Sequence, residues 1–246
     1  MNQIRNHYSY RIYADPDVAR SFDAERFGGT IGEFIKWNQE EVVFRELPSV
    51  EGWKIADVGA GTGRLTIPLI EKGAHVTACD ASSQMLEVLR QKTSSPNLEI
   101  QVVDAQELPF PDRHFQCSLS FRMLLHVIDW KKALSELCRI SQDWVIIDFP
   151  PKHGFLLLAP AWHSLRKLFS RKVQSYQTFQ LDEVFTELKL HGYEVVSIDP
   201  GFFLPLAVYR TFRSRRLMNS AEQLFSRLGL TRRFGSPFTL FARRSR

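Results

Sequence analysis

At 246 residues, 44% hydrophobic and 24% charged, the chain has the size of one α/β domain with a buried core and a small cap. No apolar run reaches membrane-span length, the start lacks the apolar stretch of a signal peptide, and Cys79, Cys117 and Cys138 show no CxxC spacing. A cytoplasmic protein with buried free thiols and neither metal site nor disulfide is the expectation. The formal charge of +5 is uneven: from Gly201 onward the arginines face Glu222 alone, which gives that segment about +9 and the remainder about −4.

The first part, 1–47, carries Tyr8, Tyr10 and Tyr13, then Ser21-Phe22-Asp23-Ala24-Glu25-Arg26-Phe27-Gly28-Gly29. Apolar residues at helical spacing follow through Ile31, Phe34, Ile35, Trp37, Val42, Val43 and Phe44, and Pro48 and Gly52 end the run. The pattern predicts a helical cap ahead of the sheet.

Lys54-Ile55-Ala56-Asp57-Val58 reads as a strand, Gly59-Ala60-Gly61-Thr62-Gly63 as a turn, and Leu65, Leu69 and Ile70 as the face of a helix ending at Gly73. Glycine accepts positive φ and lets backbone pass close to a ligand, whose polar groups would meet free N–H groups at the helix start. A dinucleotide fingerprint needs its third glycine where this chain has Arg64, which weakens an NAD reading. Acid-x-Gly-x-Gly-x-Gly resembles motif I of the class I S-adenosylmethionine-dependent methyltransferases, and Asp57 to Gly63 matches it without a gap.

His75-Val76-Thr77-Ala78-Cys79-Asp80 is the second strand, and it ends on an acid at the distance of a ribose-binding carboxylate from the first glycine. Asp80 is alternatively the N-cap of the helix carrying Met85, Leu86 and Leu89. Leu98 to Val103 is the third strand, followed by Asp104-Ala105-Gln106-Glu107-Leu108-Pro109-Phe110. The resemblance places the adenine against Asp104 and Ala105 and the ribose against Asp80 and Ala81; without it, the loop is an ordinary acidic turn. Asp57, Asp80 and Asp104 then stand at the C-terminal ends of three successive strands, where open α/β sheets bind ligands.

The fourth strand, Phe115 to Phe121, leads through Arg122-Met123-Leu124-Leu125-His126 to a helix from Lys131 to Ile140. The resemblance sets Phe121 and Arg122 beside the methionine part of the cofactor and His126 toward the acceptor, where an imidazole can take a proton near neutral pH. His126 is alternatively a structural residue capping the next helix. The family's small-molecule enzymes also resemble the Phe/Tyr-Asp-x-x-Arg-Phe segment, which would bring Arg26 or an N-terminal tyrosine to the site; an aromatic helix covering a sheet face is the other reading.

Trp144 to Phe149 is the fifth strand, and Asp148-Phe149-Pro150-Pro151 stands one strand too late for the Pro-Pro motif of amino-methylating nucleic-acid enzymes. An apolar and basic stretch from Phe155 to Lys172 predicts a substrate cap within 151–180. Beyond it come a helix from Leu181 to Leu190, a strand from Tyr193 to Ile198, a helix opened by a capping box at Ser220-x-x-Gln223 and closed by Gly229, and a last strand from Phe238 to Arg243.

The resemblance implies a Rossmann-like α/β fold: a mainly parallel sheet of seven strands with flanking helices, its last strand antiparallel at one edge. One domain, 1–246, is expected, with a helical cap over 1–47, a cofactor half over 48–150, a cap insertion over 151–180 and a basic C-terminal half over 181–246. The family's cofactor is S-adenosyl-L-methionine, with Asp57, Gly59, Ala60, Gly61, Gly63, Asp80, Ala81, Asp104, Ala105, Phe121 and Arg122 as its binding residues and His126 as the candidate base. The acceptor is expected to be a small or lipid-linked molecule, and Phe155–Lys172 with Leu204–Leu217 to touch an anionic bilayer or else close a dry pocket. An RNA methyltransferase is the first alternative, on the arginine-rich end, and a non-catalytic S-adenosylmethionine-binding protein the second.

Overall fold

The computed structural model describes residues 8–47, 49–152, 177–204 and 214–245. The helices α1 (Tyr8–Tyr13), α2 (Pro16–Phe27) and α3 (Gly29–Glu46) precede β1 (Lys54–Val58). The alternating part follows as α4 (Thr66–Glu71), β2 (His75–Asp80), α5 (Ser83–Lys92), β3 (Leu98–Val102) and β4 (Phe115–Ser120). After a short 3-10 turn at Leu124–His126 come α6 (Trp130–Ile140) and β5 (Ser141–Phe149). The last elements are α7 (Leu181–Leu190), β6 (Tyr193–Asp199), α8 (Arg215–Arg227), α9 (Leu230–Phe234) and β7 (Phe238–Arg244).

The seven strands form one sheet in the order β3-β2-β1-β4-β5-β7-β6. The first five run parallel, and β7 is antiparallel to both β5 and β6. The expectation of an antiparallel last strand holds, but β7 lies one place in from the edge. Burial explains the order. Phe238, Thr239, Leu240, Phe241 and Ala242 are all buried, as an internal strand requires, whereas β6 after the buried Tyr193 alternates exposed and half-buried residues and carries a register irregularity between Val195 and Ser197.

Alternating side chains divide the core between the two sheet faces. Ile55, Leu119, Ile146 and Phe241 pack with Val42 and Val43 of α3 and Leu69 of α4 on one side. Val145, Ile147, Leu240 and Tyr193 pack with Leu134 and Leu137 of α6 on the other. Helix α6 begins at Asp129, whose carboxylate accepts from the N–H groups of Lys131 and Lys132 at 3.1 Å. Its far end anchors the loop after β3: Arg139 donates to the carbonyls of Leu108 and Phe110 at 2.9 and 2.7 Å, and Glu136 accepts from Leu108 N–H at 2.7 Å.

Two expectations for the C-terminal half are corrected. Helix α8 starts at Arg215, so Ser220 lies inside it and forms no capping box; Ser214 holds the N-cap position without a side-chain bond. Gly229 does end it, with φ of +73°. Arg244 is not part of a free basic surface: it donates to the carbonyls of Gln142, Cys138 and Ser141 at 2.8, 3.0 and 2.7 Å and stacks over Tyr193. The predicted cap from Phe155 to Lys172, with Arg210 and Arg213, lies outside the described residues.

Cys79, Cys117 and Cys138 are buried free thiols, and burial raises each above the ordinary thiol range, Cys138 to about 12. No helix among the described residues is long and apolar enough to cross a membrane.

Candidate active site

The strand order reverses between β1 and β4, and a crevice opens there at the C-terminal ends of the strands. It is an open crevice holding about 1260 Å³ of empty space, solvent at its mouth included. The turn after β1 forms its floor. Gly59 and Gly61 have φ of +81° and +56°, and a Cβ on Gly59 would stand 2.5 Å from Cβ of Met123.

Four of the turn's N–H groups are engaged by the protein itself. Gly59 and Ala60 both donate to the Cys79 carbonyl, at 2.7 and 3.0 Å, Gly61 donates to Asp80 Oδ2 at 2.9 Å, and Gly63 to the Ala60 carbonyl at 2.9 Å. The turn is thereby fastened to the end of β2, and its glycines let other groups approach the backbone closely. Asp80 lines the cavity with its second oxygen accepting from Ser82 N–H at 2.9 Å, and burial holds its carboxyl above the usual range against those bonds. It does not cap α5; Ser82 does, accepting from Met85 N–H at 3.2 Å.

Below the turn, Asp57 is fully buried and accepts from Thr66 Oγ1 at 2.6 Å. Desolvation pushes its carboxyl up to about 6. Arg64 enters the cavity wall with its guanidinium 4.0 Å over the Phe27 ring, and burial, with Arg122 nearby, lowers it to about 10.

The opposite wall comes from the loop after β4. Arg122 adopts φ of +62°, and its N–H donates to Asp148 Oδ1 at 2.5 Å from the end of β5. The other Asp148 oxygen accepts no hydrogen bond among the described residues although the residue is fully buried, and burial raises its carboxyl. His126 lines the cavity from the 3-10 turn, its ring edge-on to Tyr13 at 5.9 Å. It caps no helix, since Asp129 holds that place on α6.

The N-terminal helices close the remaining side. Tyr10, Tyr13, Phe22, Arg26 and Phe27 all line the cavity, so the segment covers the site and not merely a sheet face. Asp23 fastens α2 to the turn, accepting from Thr62 Oγ1 at 2.6 Å and from Lys92 Nζ, which also donates to the Thr62 carbonyl at 2.8 Å. Ser82 Oγ donates to the Tyr13 carbonyl at 2.5 Å.

One cavity therefore gathers Asp57, Gly59, Ala60, Gly61, Asp80, Ala81, Ala105, Phe121, Arg122 and His126. Gly63 and Asp104 are not on its wall. Gly63 packs under α5, where a Cβ would meet Leu89 Cδ1 at 2.2 Å. Asp104 accepts from Gln106 N–H at 2.9 Å and stands near Tyr10, whose hydroxyl is raised by burial first and then by that carboxylate. Sequence reasoning passed over Arg64, Asp148 and Phe27 as site residues; the positive charge of Arg64 beside the glycine turn was the available signal for one of them.

The residue set fits a nucleoside cofactor. Met85, Val103 and Ala105 supply apolar wall, Asp80 supplies carboxylate acceptors next to it, and the side-chain-free turn leaves the backbone approachable. Among the described residues no group of three His, Cys, Asp or Glu side chains could hold a metal ion.

A family described as a methyltransferase domain matches residues 55–143. The chain is 36% identical over 173 residues to a demethylmenaquinone methyltransferase of Clavibacter sepedonicus, covering 65% of this chain and 69% of that one. It is 29% identical over 161 residues to a phosphatidylethanolamine N-methyltransferase of Cereibacter sphaeroides, covering 62% of this chain and 77% of that one. Across three demethylmenaquinone methyltransferases the matched region spans 52% to 69% of the relative's length. In fold it is similar to magnesium protoporphyrin IX methyltransferase of Synechocystis PCC 6803, solved with bound S-adenosylhomocysteine, at a TM-score of 0.59 and 17% identity over 99% of this chain and 92% of that one.

Proposed function

We propose, for a chain that belongs to the class I S-adenosylmethionine-dependent methyltransferases of the ubiquinone/menaquinone-biosynthesis-like group, that it transfers a methyl group from S-adenosylmethionine to a small or lipid-linked acceptor. The observation that carries this is the single cavity at the β1/β4 switch point, which joins the glycine turn and Asp80 to Arg122 and His126. S-adenosylmethionine supplies a methyl group already activated on a sulfonium, so placement does most of the work.

In this reading Asp80 accepts hydrogen bonds from ribose hydroxyls with the lone pairs that Gly61 and Ser82 leave free. Ala105 and Val103 bound the adenine slot, with Asp104 fixing the loop behind it rather than facing the ligand. Phe121 and Arg122 border the methionine end, and Asp148 holds the Arg122 backbone in its left-handed conformation. His126 stands beside Tyr13 on the acceptor side, where it takes a proton from the acceptor atom. Helix α2 excludes water from above, through Phe22 and Phe27.

An amphiphilic acceptor and reversible docking on an anionic bilayer complete the proposal, supported by the quinone and phospholipid methyltransferases among its relatives and by the basic C-terminal half. Calorimetry with S-adenosylhomocysteine, NAD and NADP is the test. The native protein is expected to bind the first alone. Asp80→Ala should weaken it by about 1.5–3 kcal/mol, the loss of a charge-assisted acceptor; equal affinity in the two proteins would remove Asp80 from the ribose role.

A further inference from the structure

We infer that the outer stripe of α8, with the arginines of α8 and α9, is the surface by which this protein lies on an anionic lipid bilayer. The inference rests on the amphiphilic-acceptor reading above and assigns the contact to a specific element.

Helix α8 is sided. Met218 is fully buried against Phe34 and Ile35 of α3, the Phe225 ring packs on Phe203 at 4.6 Å, and Glu222 turns inward to accept from the N–H groups of Phe203 and Leu204 at 2.9 and 3.3 Å. Leu217, Leu224 and Leu228 are spaced by two turns and then one, so they share a face, and they are 59%, 55% and 62% exposed. Arg216 and Arg227 on α8, and Arg232 and Arg233 on the following α9, are exposed and form no ion pair among the described residues. With Glu222 turned inward, the outer side of α8 itself presents leucine and arginine and no acid.

Charge selects the occupant. A second copy meeting this face about a twofold axis would set arginines against arginines, an arrangement that repels. Anionic headgroups meet the arginines while the three leucines enter the headgroup and acyl boundary, as in an interfacial helix. Topology adds the reason for the placement. Strand β6 runs parallel to β5, since both are antiparallel to β7, so β6 ends at the same sheet edge where the cavity opens, and α8 and α9 sit on the connection from that edge back to β7. Met218 touches α3, whose neighbour α2 carries the cavity residues Phe22 and Arg26. A molecule resting in the bilayer would thus find the cavity on the side of the protein that faces it.

Co-sedimentation with phosphatidylcholine vesicles, with and without phosphatidylglycerol, tests the assignment. The native protein is expected to partition onto the anionic vesicles and to release with salt. Arg216→Gln, Arg227→Gln, Arg232→Gln and Arg233→Gln should each lower the partition coefficient by about fivefold, and together by more than about a hundredfold. Leu217→Gln with Leu224→Gln and Leu228→Gln should remove the part that salt does not release. These side chains are exposed, so the variants should melt like the native protein. Three results would overturn the inference: no partition of the native protein, unchanged partition of both variant sets, or a concentration-dependent dimer that the leucine set abolishes. Calorimetry with S-adenosylhomocysteine on the same samples keeps the two readings apart, because failed cofactor binding sinks the methyltransferase reading whatever the vesicles show, and normal cofactor binding with unchanged partition sinks this one alone.

Discussion

The β1–β2–β4 part of the sheet and the β5–β7–β6 part are held together over very different distances along the chain. Around the cavity, Thr66 bonds Asp57 nine residues away and Gly61 bonds Asp80 nineteen away. At the other end, Arg244 reaches back 102 to 106 residues to the carbonyls of Gln142, Ser141 and Cys138, and β7 inserts between strands that precede it. Short-range bonding makes the cradle a nearly self-specified unit of strand, turn, helix and strand. The far end depends on the finished sheet, because its bonds form only once strands far apart in the chain have come together.

The largest effect expected from breaking the cradle concerns its acceptor side. If His126 takes the proton, His126→Ala should lower turnover by about 10²–10⁴-fold while S-adenosylhomocysteine affinity stays near the native value. Turnover that survives the substitution would return His126 to a purely structural place beside Tyr13.

Gly63 tests the cradle's own packing. Its φ is +85°, and a Cβ would stand 2.2 Å from Leu89 Cδ1 in the core under α5. Gly63→Ala should therefore cost about 2–4 kcal/mol in denaturant unfolding, from left-handed strain and overpacking together. Gly229→Ala, with the same handedness but nothing within 4 Å of the added Cβ, should cost only the strain, about 1–2 kcal/mol. Equal losses at the two sites would mean that Leu89 gives way freely.

Asp57 ties the cradle to pH. Its carboxyl rises from 3.8 to about 6 on folding, so the folded state favours the protonated form. Its contribution to stability is complete below about pH 4 and is lost as pH climbs through 6, an effect on the order of 3 kcal/mol. Asp80 and Asp148 shift in the same direction. Asp57→Asn should flatten the decline of unfolding free energy between about pH 4 and 6 without abolishing it. An unaltered slope would show that Asp57 carries no such penalty.

The same contrast in range explains what could be read from sequence. That Asp57, Gly59, Gly61 and Asp80 meet at the cavity was legible because their placement follows from residues within one strand, turn and strand end. Asp148 was legible only as part of a rejected motif, since its meaning comes from β5 lying beside β4 and reaching the Arg122 backbone. The use of the turn's N–H groups by β2 was invisible for a similar reason: the Cys79 carbonyl becomes their partner only once β1 and β2 pair in parallel. The Ser220 capping box failed because a local pattern competed with packing. Met218 is buried against α3 and Phe225 packs on Phe203, contacts that lie on both sides of the serine, and the helix starts N-terminal to it at Arg215.

The smallest expected effect lies where the N-terminal cap meets the cradle. Asp23 receives Thr62 Oγ1 at 2.6 Å and Lys92 Nζ, and Lys92 also holds the Thr62 carbonyl, so three side chains from α2, the turn and α5 meet at one point. Asp23 and Lys92 are 41% and 34% exposed, and water screens the pair, which places its worth at about 0.2–1 kcal/mol. Lys92→Met keeps the apolar stem and removes only the charge. It should lower the melting temperature by at most about 4 °C. Its clearer signature is kinetic, because Phe22 and Phe27 cover the cavity from the helix that this contact fastens. Stopped-flow displacement of S-adenosylhomocysteine should show dissociation faster by up to about fivefold, with association little changed. Dissociation at the native rate would mean that the aromatic contacts of α2, with Arg64 stacked on Phe27, hold the cap closed without the ionic fastening.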